Sequence, residues 1–194
     1  MTRVLKLAES GVDAAADAVL EALAGPGAVV LLPTETVYGL VCRADDAAAR
    51  QRIYDLKDRD ASKPLGWFVA DWRMLAGYGV RLEGLPEQLA VRHCPGPITI
   101  IAPRRDGGTT GFRVPDHPLI LAVLRRIGCP LAQTSANHSG HPNALTVQAA
   151  LAELSGDAAL AVDGGPIAPD ALASTVVDAT GKEPRVLRRG ALRI

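Results

Sequence analysis

The sequence predicts an α/β fold: a single domain over residues 1–194, with a twisted mixed sheet and flanking helices. Two patterns support this class. Short continuous apolar segments alternate with longer segments of helical periodicity, and no linker, repeat or low-complexity tract interrupts the 194 residues. The composition agrees, because 48% hydrophobic but only 4% aromatic residues predict an aliphatic core. At this length roughly 70% of the unfolded surface can be buried, so the fold needs neither a disulfide nor a metal.

The first helix is predicted to begin at Ser10. The spacing of Ser10 to Asp13 matches a capping box, and the Ala-rich stretch of roughly four turns that follows is closed by Gly25 and its neighbours. The apolar run AVVLL at residues 28–32 then predicts a buried strand, because it is continuous and bounded by Gly and Pro.

The rest of the chain continues this alternation. A second helix is expected to begin with Asp45 as its N-cap and to end near Lys57, since its apolar residues fall on one face. Short β segments near Phe112 and Val186 are expected to pair antiparallel. Further strands are predicted at residues 65–70, 98–102, 131–134, 160–162 and 175–177, and further helices at residues 86–93, 118–127 and 147–154.

Charge and cysteine usage restrict the classes of function. The 21 basic and 21 acidic residues cancel, which argues against a protein that coats nucleic acid. Cys42, Cys94 and Cys129 are odd in number and form no CxxC spacing, so neither a disulfide framework nor a zinc knuckle is indicated. No apolar run reaches the length of about 18 residues that spans a bilayer. We therefore expect a cytoplasmic protein.

Common catalytic and nucleotide-binding motifs are absent from the sequence. It contains no GxxxxGK[ST], no GxGxxG after a strand, no GxSxG and no HExxH. His138 and His141 are three residues apart, but no third ligand is spaced near them, so no metal site is expected. A phosphate compound would have to be held in another way.

Two segments in the first half of the chain look unlike plain scaffold. PTETVYGL, residues 33–40, follows a buried strand with two Thr hydroxyls and a Glu, and ligands of α/β sheets bind at such strand ends. The alternative is an ST-turn with a packed Tyr. In KDRDASKPL, residues 57–65, an extended backbone would turn Lys57, Arg59 and Lys63 toward one ligand. The alternative is a solvated charge run neutralised by its own aspartates.

Two further candidate segments lie in the second half. In QTSANHSGHPN, residues 133–143, small polar residues with Gly140 form a loop whose backbone amides could meet an anion, although it could also be a plain turn. STVVD, residues 174–178, and RVLRRG, residues 185–190, supply a Ser and two Arg from late strands that are expected to pair. Arg113 is a further isolated cation, and Arg suits bidentate carboxylate or phosphate contacts.

Together these segments resemble the YrdC-like family of threonylcarbamoyl-AMP synthases over nearly the whole chain. The resemblance rests on blocks in sequence order that include the KxR and SxN motifs of that family: PTETVYGL, IYDLKDRDASKPL, CPGPITII, FRVPDHPL, TSANHSG, STVVD and VLRRG. It implies a twisted α/β sheet around a basic concave cavity. It also implies a reaction in which L-threonine, bicarbonate or CO2, and ATP give threonylcarbamoyl-AMP and pyrophosphate. Separate transfer proteins would then use the product to modify tRNA.

The resemblance also implies roles for individual residues. The KxR and SxN residues, expected to face the nucleotide and to be catalytic, are Lys57, Arg59, Ser135 and Asn137. Further ATP contacts are implied at Lys63, Thr109, Asn143 and Arg188. Threonine contacts are implied at Thr36, Arg113, Gln133 and Ser174, with Arg113 taking the carboxylate. Mg²⁺ is expected to be bound mainly through the ATP phosphates, without a protein metal site.

Some positions depart from the family pattern. Asp60 stands where the family usually has Pro, Val41 stands where it has Gly, and Arg189 stands where Pro commonly follows the last Arg. The run Gly66-Trp67-Phe68 replaces a more aliphatic one. The chain ends at Ile194, so the additional C-terminal domain of longer members is not expected. These departures bear on the fine geometry of the site rather than on the class of reaction.

Two other functions stay open at this stage. One is an RNA-binding or ribosome-associated YrdC-like factor, with weak RNA binding on a basic face. The neutral net charge and the scarcity of aromatic side chains weigh against it, because single-stranded RNA sites use aromatic stacking. The other is a paralogue with the same cavity but different acyl-adenylate chemistry.

Overall fold

The computed structural model describes residues 1–138 and 141–194, and these residues contain a single sheet of ten strands. The strands are β1 (Val4–Lys6), β2 (Val30–Leu32), β3 (Gly39–Arg43), β4 (Gly66–Phe68), β5 (Ile98–Pro103), β6 (Thr109–Arg113), β7 (Leu131–Ser135), β8 (Leu160–Asp163), β9 (Thr175–Asp178) and β10 (Arg185–Arg188). The helices are α1 (Leu7–Leu23), α2 (Ala47–Leu56), α3 (Leu85–His93), α4 (Pro118–Ile127) and α5 (Val147–Ala152), with a 3-10 helix at Trp72–Tyr78.

The sheet is mixed, as predicted. Its strand order is β1-β8-β2-β3-β7-β4-β6-β5-β9-β10. The pairs β1/β8, β2/β8, β4/β6 and β5/β9 are parallel, and the remaining neighbours are antiparallel. Phe112 and Val186 both lie in antiparallel ladders, where they pair with Ile100 and Val177. The expected α/β fold class is thereby confirmed.

Both predicted N-caps are wrong. α1 already begins at Leu7, directly after β1, and the chain breaks its helical path at Gly11, where φ is 75° and ψ is 169°. Ser10 lies before this break, and its hydroxyl donates to the carbonyl of Lys6 at 3.1 Å instead of capping the helix. A positive φ is open to glycine at little cost, which explains the position of the break.

The second helix is capped one residue later than predicted. The carboxylate of Asp46 accepts the N–H of Ala49 at 2.9 Å, which is the N-cap bond, and it also accepts the N–H of Gly27. Asp45 instead pairs with Arg43 at 2.8 Å. Adjacent aspartates cannot be told apart from the sequence, because the choice depends on the long-range contact with Gly27.

The expectation of an extended segment after α2 is also wrong. Lys57 is the C-cap residue in a right-handed conformation, and Asp58 has a φ of 46°. The N–H of Arg59 then returns to the carbonyl of Tyr54 at 3.0 Å. The chain therefore reverses at the helix end, and Lys57 and Arg59 are separated by a turn rather than aligned along a strand.

Several elements were not anticipated. β1 and the 3-10 helix were absent from the prediction, and β3 begins inside the segment expected to be a loop. The strand predicted at residues 65–70 is only three residues long, Gly66–Phe68, whereas α4 has the predicted bounds. No helix among residues 1–138 and 141–194 has both the length and the apolarity to cross a membrane.

The core consists of three apolar clusters on the sheet. One lies under α1 and α4 and includes Val19 and Leu124. A second includes Ile53 from α2 and Val147 from α5, and a third is built around Phe112. These clusters fix the strands from whose ends the polar segments of the sequence emerge.

Candidate functional site

The polar segments meet at a cavity of about 550 Å³. The cavity is bordered by residues of β4, β5, β6, β7 and β9 and by the loop that follows β2. The residues singled out from the sequence that line it are Thr36, Arg59, Thr109, Arg113, Gln133, Ser135, Ser174 and Arg188. Four others do not line it: Lys57, Lys63, Asn137 and Asn143.

The loop after β2, in the segment PTETVYGL, is both an ST-turn with a packed Tyr and part of the cavity wall. The hydroxyl of Thr34 accepts the backbone N–H of Thr36 and of Val37, each at 3.0 Å, so an ST-turn is present. Tyr38 is packed, and its hydroxyl donates to the carbonyl of Gly165 at 2.7 Å. Because Thr34 and Thr36 also line the cavity, the turn serves to hold the Thr36 hydroxyl at this surface.

Arg113 is a buried cation at the cavity wall, with only 5% of its side chain exposed. Its guanidinium donates through Nε to the carbonyl of Gly96 at 3.2 Å and through Nη1 to the hydroxyl of Thr36 at 3.1 Å. Nη2 lies 2.6 Å from Glu35 Oε1 in an ion pair, but it has no hydrogen-bond partner among the described residues. Two hydrogen bonds and one ion pair therefore fix the guanidinium.

Arg188 comes from the last strand and is fixed against the segment before β9. Its guanidinium donates to the carbonyl of Ser174 at 2.8 and 3.1 Å and to the hydroxyl of Ser174 at 3.1 Å. The same hydroxyl lies 2.9 Å from that of Thr99. Partial burial, and secondarily the charge of Arg113, lower the pKa of Arg188. Two neighbouring guanidinium groups at one cavity favour an anionic ligand between them.

Lys57 is a buried lysine beneath the cavity rather than at its surface, since only 2% of it is exposed. Its ammonium donates to the hydroxyl of Thr134 at 3.2 Å and to the carbonyl of Ser135. Burial, followed by the nearby charge of Arg59, lowers the pKa of Lys57 to about 8. The charge therefore lies under the carboxyl end of β7.

Arg59 reaches the cavity itself. Its Nη2 donates to the carbonyl of Pro64 at 3.3 Å, which fixes the side chain against its own loop. Its Nε is buried and has no hydrogen-bond partner in the described part of the chain. Burial lowers the pKa of Arg59. A buried donor without a partner is costly in a folded protein, so the geometry suits a bound acceptor.

Asn137 shapes the loop after β7 from within. Its side-chain amide donates to the carbonyls of His138, at 3.1 Å, and of His141, at 2.7 Å. Ser139 and Gly140, part of the predicted anion-binding loop, lie outside the described residues. Oδ1 of Asn137 is buried without a hydrogen-bond partner among residues 1–138 and 141–194.

Hydrogen bonds of His138 connect this loop to Lys57 and to Glu153. Nδ1 of His138 lies 2.8 Å from the carbonyl oxygen of Lys57, and the N–H of His138 donates to Glu153 at 3.0 Å. Nδ1 of His141 lies 3.1 Å from the same carboxylate. Among the residues that the structure describes, no group of three metal-ligating side chains is present, and the two histidines serve loop contacts.

The sequence interpretation missed Trp67 and Arg104, which also line the cavity. The guanidinium carbon of Arg104 lies 5.6 Å from the Trp67 ring centroid, within cation–π range. Arg104 is held by Asp106 at 3.0 Å and by the hydroxyl of Thr110 at 3.2 Å, and Tyr78 packs edge-on against Trp67. The unusual Trp67 was a signal in the sequence, whereas Arg104 looked like one of several charges in a surface turn.

Comparison with known proteins gives a consistent result. The sequence model of the Sua5, YciO and YrdC family, described as telomere recombination, matches residues 22–190. A threonylcarbamoyl-AMP synthase of Vibrio parahaemolyticus is 36% identical over 175 residues, covering 84% of this chain and 93% of that protein. A threonylcarbamoyl-AMP synthase of Bacillus subtilis is 37% identical over 174 residues, covering 84% of this chain and 50% of that protein.

A solved structure shares the fold. The crystal structure of P. abyssi Sua5 complexed with L-threonine superposes with a TM-score of 0.81 at 29% identity, covering 98% of this chain. This chain spans 57% of the length of that P. abyssi protein and half the length of the Bacillus relative. The longer relatives therefore contain a further portion with no counterpart in these 194 residues.

Proposed function

Because the chain belongs to the Sua5, YciO and YrdC family, we propose that it is an L-threonylcarbamoyladenylate synthase. It makes threonylcarbamoyl-AMP and pyrophosphate from L-threonine, bicarbonate or CO2, and ATP. The observation that carries the proposal is the arrangement of Arg59, Arg113 and Arg188 on one cavity, with Thr36 and Ser174 between them. Such a cavity matches a substrate pair that brings one carboxylate and a triphosphate.

The threonine end of the site is built around Arg113. A guanidinium binds a carboxylate through two parallel hydrogen bonds, and Arg113 is already held in place by Thr36 and Gly96. The hydroxyl of Ser174 and the backbone of Gln133 complete this end. P. abyssi Sua5, which has the same fold, was crystallised in complex with L-threonine.

The ATP end uses the remaining cations. Arg59 contacts the phosphates from the cavity wall, and Lys57 contributes its charge from below Ser135. Thr109 and Arg188 add contacts from the cavity lining, and the proposal extends to Lys63, Asn137 and Asn143, which lie outside that lining. Mg²⁺ would be held mainly by the ATP phosphates and water and would supply positive charge to the triphosphate.

The chemistry proceeds by positioning and charge stabilisation. An oxygen of the threonine carbamate attacks the α-phosphorus of ATP, and pyrophosphate leaves on the opposite side. No covalent intermediate with the protein is formed. Arg59 and Lys57 stabilise negative charge that builds up on the phosphates during this displacement.

The product supplies the threonylcarbamoyl group for the modification of adenosine in tRNA, through separate transfer proteins. We assign the protein to the cytoplasm, in agreement with its three free cysteines. Residues 1–194 form one domain in this proposal.

The test is to incubate the protein with ATP, bicarbonate and each amino acid in turn and to measure pyrophosphate. Threonine should give several times more pyrophosphate than serine, alanine or no amino acid. Lys57→Ala and Arg59→Ala should each lower the rate about tenfold to several hundredfold, because a charge-assisted hydrogen bond contributes about 1.5–3 kcal/mol. Lys182→Ala removes an exposed cation remote from the cavity and should leave the rate unchanged.

Three results would overturn the assignment. Equal product with threonine and alanine would exclude threonine specificity and favour a different acyl-adenylate chemistry. Failure to consume ATP with any amino acid would exclude a synthase. Wild-type rates in both the Lys57 and Arg59 variants would remove those residues from the reaction.

A further inference from the structure

The proposed reaction needs a proton acceptor, and none of the residues assigned a role in it so far takes up that proton. The α-amine of threonine carries a proton at neutral pH, and a protonated amine has no lone pair with which to attack CO2. Among the described residues that line the cavity, none is Asp, Glu or His. A carboxylate or imidazole that accepts this proton therefore lies behind the cavity wall and not in its lining.

Glu35 is the carboxylate in contact with the amino-acid end of the site. Its Oε1 lies 2.6 Å from Nη2 of Arg113 and accepts the backbone N–H of Asp116 at 2.9 Å. Its side chain is 18% exposed, and it precedes Thr36, which lines the cavity. The carboxylate is thus fixed beside the guanidinium that is expected to take the threonine carboxylate.

One oxygen of this carboxylate has no donor. Oε2 of Glu35 and Nη2 of the neighbouring Arg113 are both closed off from solvent, and neither has a hydrogen-bond partner in the part of the chain that the structure describes. A buried carboxylate oxygen without a donor is unfavourable, so the arrangement is completed when a ligand brings one. An ammonium next to a carboxylate that is bound on Arg113 supplies such a donor.

We propose that Glu35 binds the α-ammonium of the amino-acid substrate and accepts its proton, as the catalytic base of the carboxylation step. This inference rests on the proposed function. Arg113 and Glu35 together present a positive and a negative group side by side, which is the complement of a zwitterionic α-amino acid. The pair therefore selects a free amino acid over a simple carboxylic acid.

The carboxylation step conserves every proton and electron pair. One proton moves from the threonine nitrogen to Oε2 of Glu35, which leaves a lone pair on nitrogen. That pair forms the N–C bond to CO2, and one C=O π pair moves to oxygen. The second nitrogen proton passes to water, and the product is the carbamate that attacks ATP. Glu35 returns its proton to water before the next turnover.

A second titratable group, His117, also faces Glu35. Its Nδ1 is buried without a hydrogen-bond partner among residues 1–138 and 141–194. Burial lowers the pKa of His117, while the charges of Glu35 and Asp116 act in the opposite direction. A neutral imidazole at this place is the competing candidate for the base, so the experiment includes it.

The experiment compares two reactions of the Glu35→Gln variant. The forward reaction is threonine-dependent pyrophosphate release, which requires deprotonation of the amine. The reverse reaction is ATP formation from threonylcarbamoyl-AMP and pyrophosphate, which starts from a compound without an ammonium. We expect the forward rate to fall about 100-fold or more, because general bases contribute on this scale. The reverse rate should stay within about threefold of wild type.

Matched variants separate this role from others. Asp116→Asn changes a neighbouring exposed carboxylate. Only the backbone N–H of Asp116 contacts Glu35, so this variant should leave both rates unchanged.

Equal loss of both reactions in Glu35→Gln overturns the proposal, since Glu35 would then act only by holding Arg113. An unchanged forward rate overturns it as well. A selective forward loss in His117→Gln, with Glu35→Gln active, would assign the base to His117. If the wild-type protein performs neither reaction, the proposed function itself fails and the inference falls with it.

Discussion

Lys57 and Thr134 are joined by a hydrogen bond of 3.2 Å between Nζ and Oγ1, although 77 positions separate them in the chain. The bond connects the end of α2 to β7, whose last residue is Ser135. The two motifs that the sequence interpretation treated as separate nucleotide contacts are therefore joined directly through the buried Lys57. The first residue of KxR supports the strand that presents the SxN loop.

This burial predicts an unusual dependence of stability on pH. Lys57 has a pKa of about 8 in the folded protein, against 10.5 for an ordinary lysine. Between these values only the unfolded chain keeps the proton, so the unfolded state binds more protons and the free energy of unfolding rises with pH. Relative to that of Lys57→Met, the free energy of unfolding of the wild type should rise by about 3 kcal/mol over this interval.

Urea denaturation at pH 7 and at pH 10.5 measures this difference. Other groups that titrate in the interval are present in both proteins, and their contributions cancel in the comparison. If the difference in the free energy of unfolding between wild type and Lys57→Met is the same at both pH values, Lys57 does not lose its proton in the folded state.

The fold class was predictable because the longer helices and strands have apolar patterns and terminal residues that can be recognised in the sequence. α4 has the predicted bounds, since a Pro stands at its first position and Gly128 follows its end. β1 is partly exposed and only three residues long, so its apolar and polar residues cannot show the alternation that identifies a strand. β3 begins with Gly39 in a segment rich in turn residues, and it pairs with β2 and β7 only in the folded chain.

The site was less accessible to sequence reasoning. The roles of its residues were implied by the family resemblance and stay predictions. Arg104 and Lys57 lie in runs where neighbouring charges of opposite sign favour a solvated surface, whereas Glu35 is the only charged residue in its segment. Their burial and partners depend on contacts between distant segments, such as that of Glu35 with Arg113. A pattern along the chain contains no information about such contacts.

Trp67 should report nucleotide binding directly. The chain has two tryptophans, and Trp72 is buried in the core at 8% exposure, while Trp67 lines the cavity with Arg104 over its ring. In Trp72→Phe, addition of ATP should change the remaining fluorescence, because a ligand in the cavity alters the surroundings of the indole and of Arg104. Saturation of the change gives the affinity for ATP.

The reciprocal variant is the control for this measurement. Trp67→Phe retains only Trp72, which is remote from the cavity lining, and its fluorescence should not respond to ATP. A response of equal size in both variants would point to a global change and not to a ligand next to Trp67.

Gly190 is a position where the backbone approach itself supports the site. A Cβ there would lie 2.1 Å from the carbonyl oxygen of Ala173 and 2.6 Å from that of Ser174. These are backbone atoms, so the segment that holds Ser174 and Arg188 would have to move. Gly190→Ala should therefore lower the free energy of unfolding by about 1–3 kcal/mol and raise the KM for threonine.

Gly181→Ala is the matched control, because its Cβ would meet only one atom, at 4.0 Å, and the change in stability should stay within about 0.5 kcal/mol. Urea denaturation and threonine titration of both variants decide the matter: equal stability of the two would show that the chain after β10 can shift freely without disturbing Ser174.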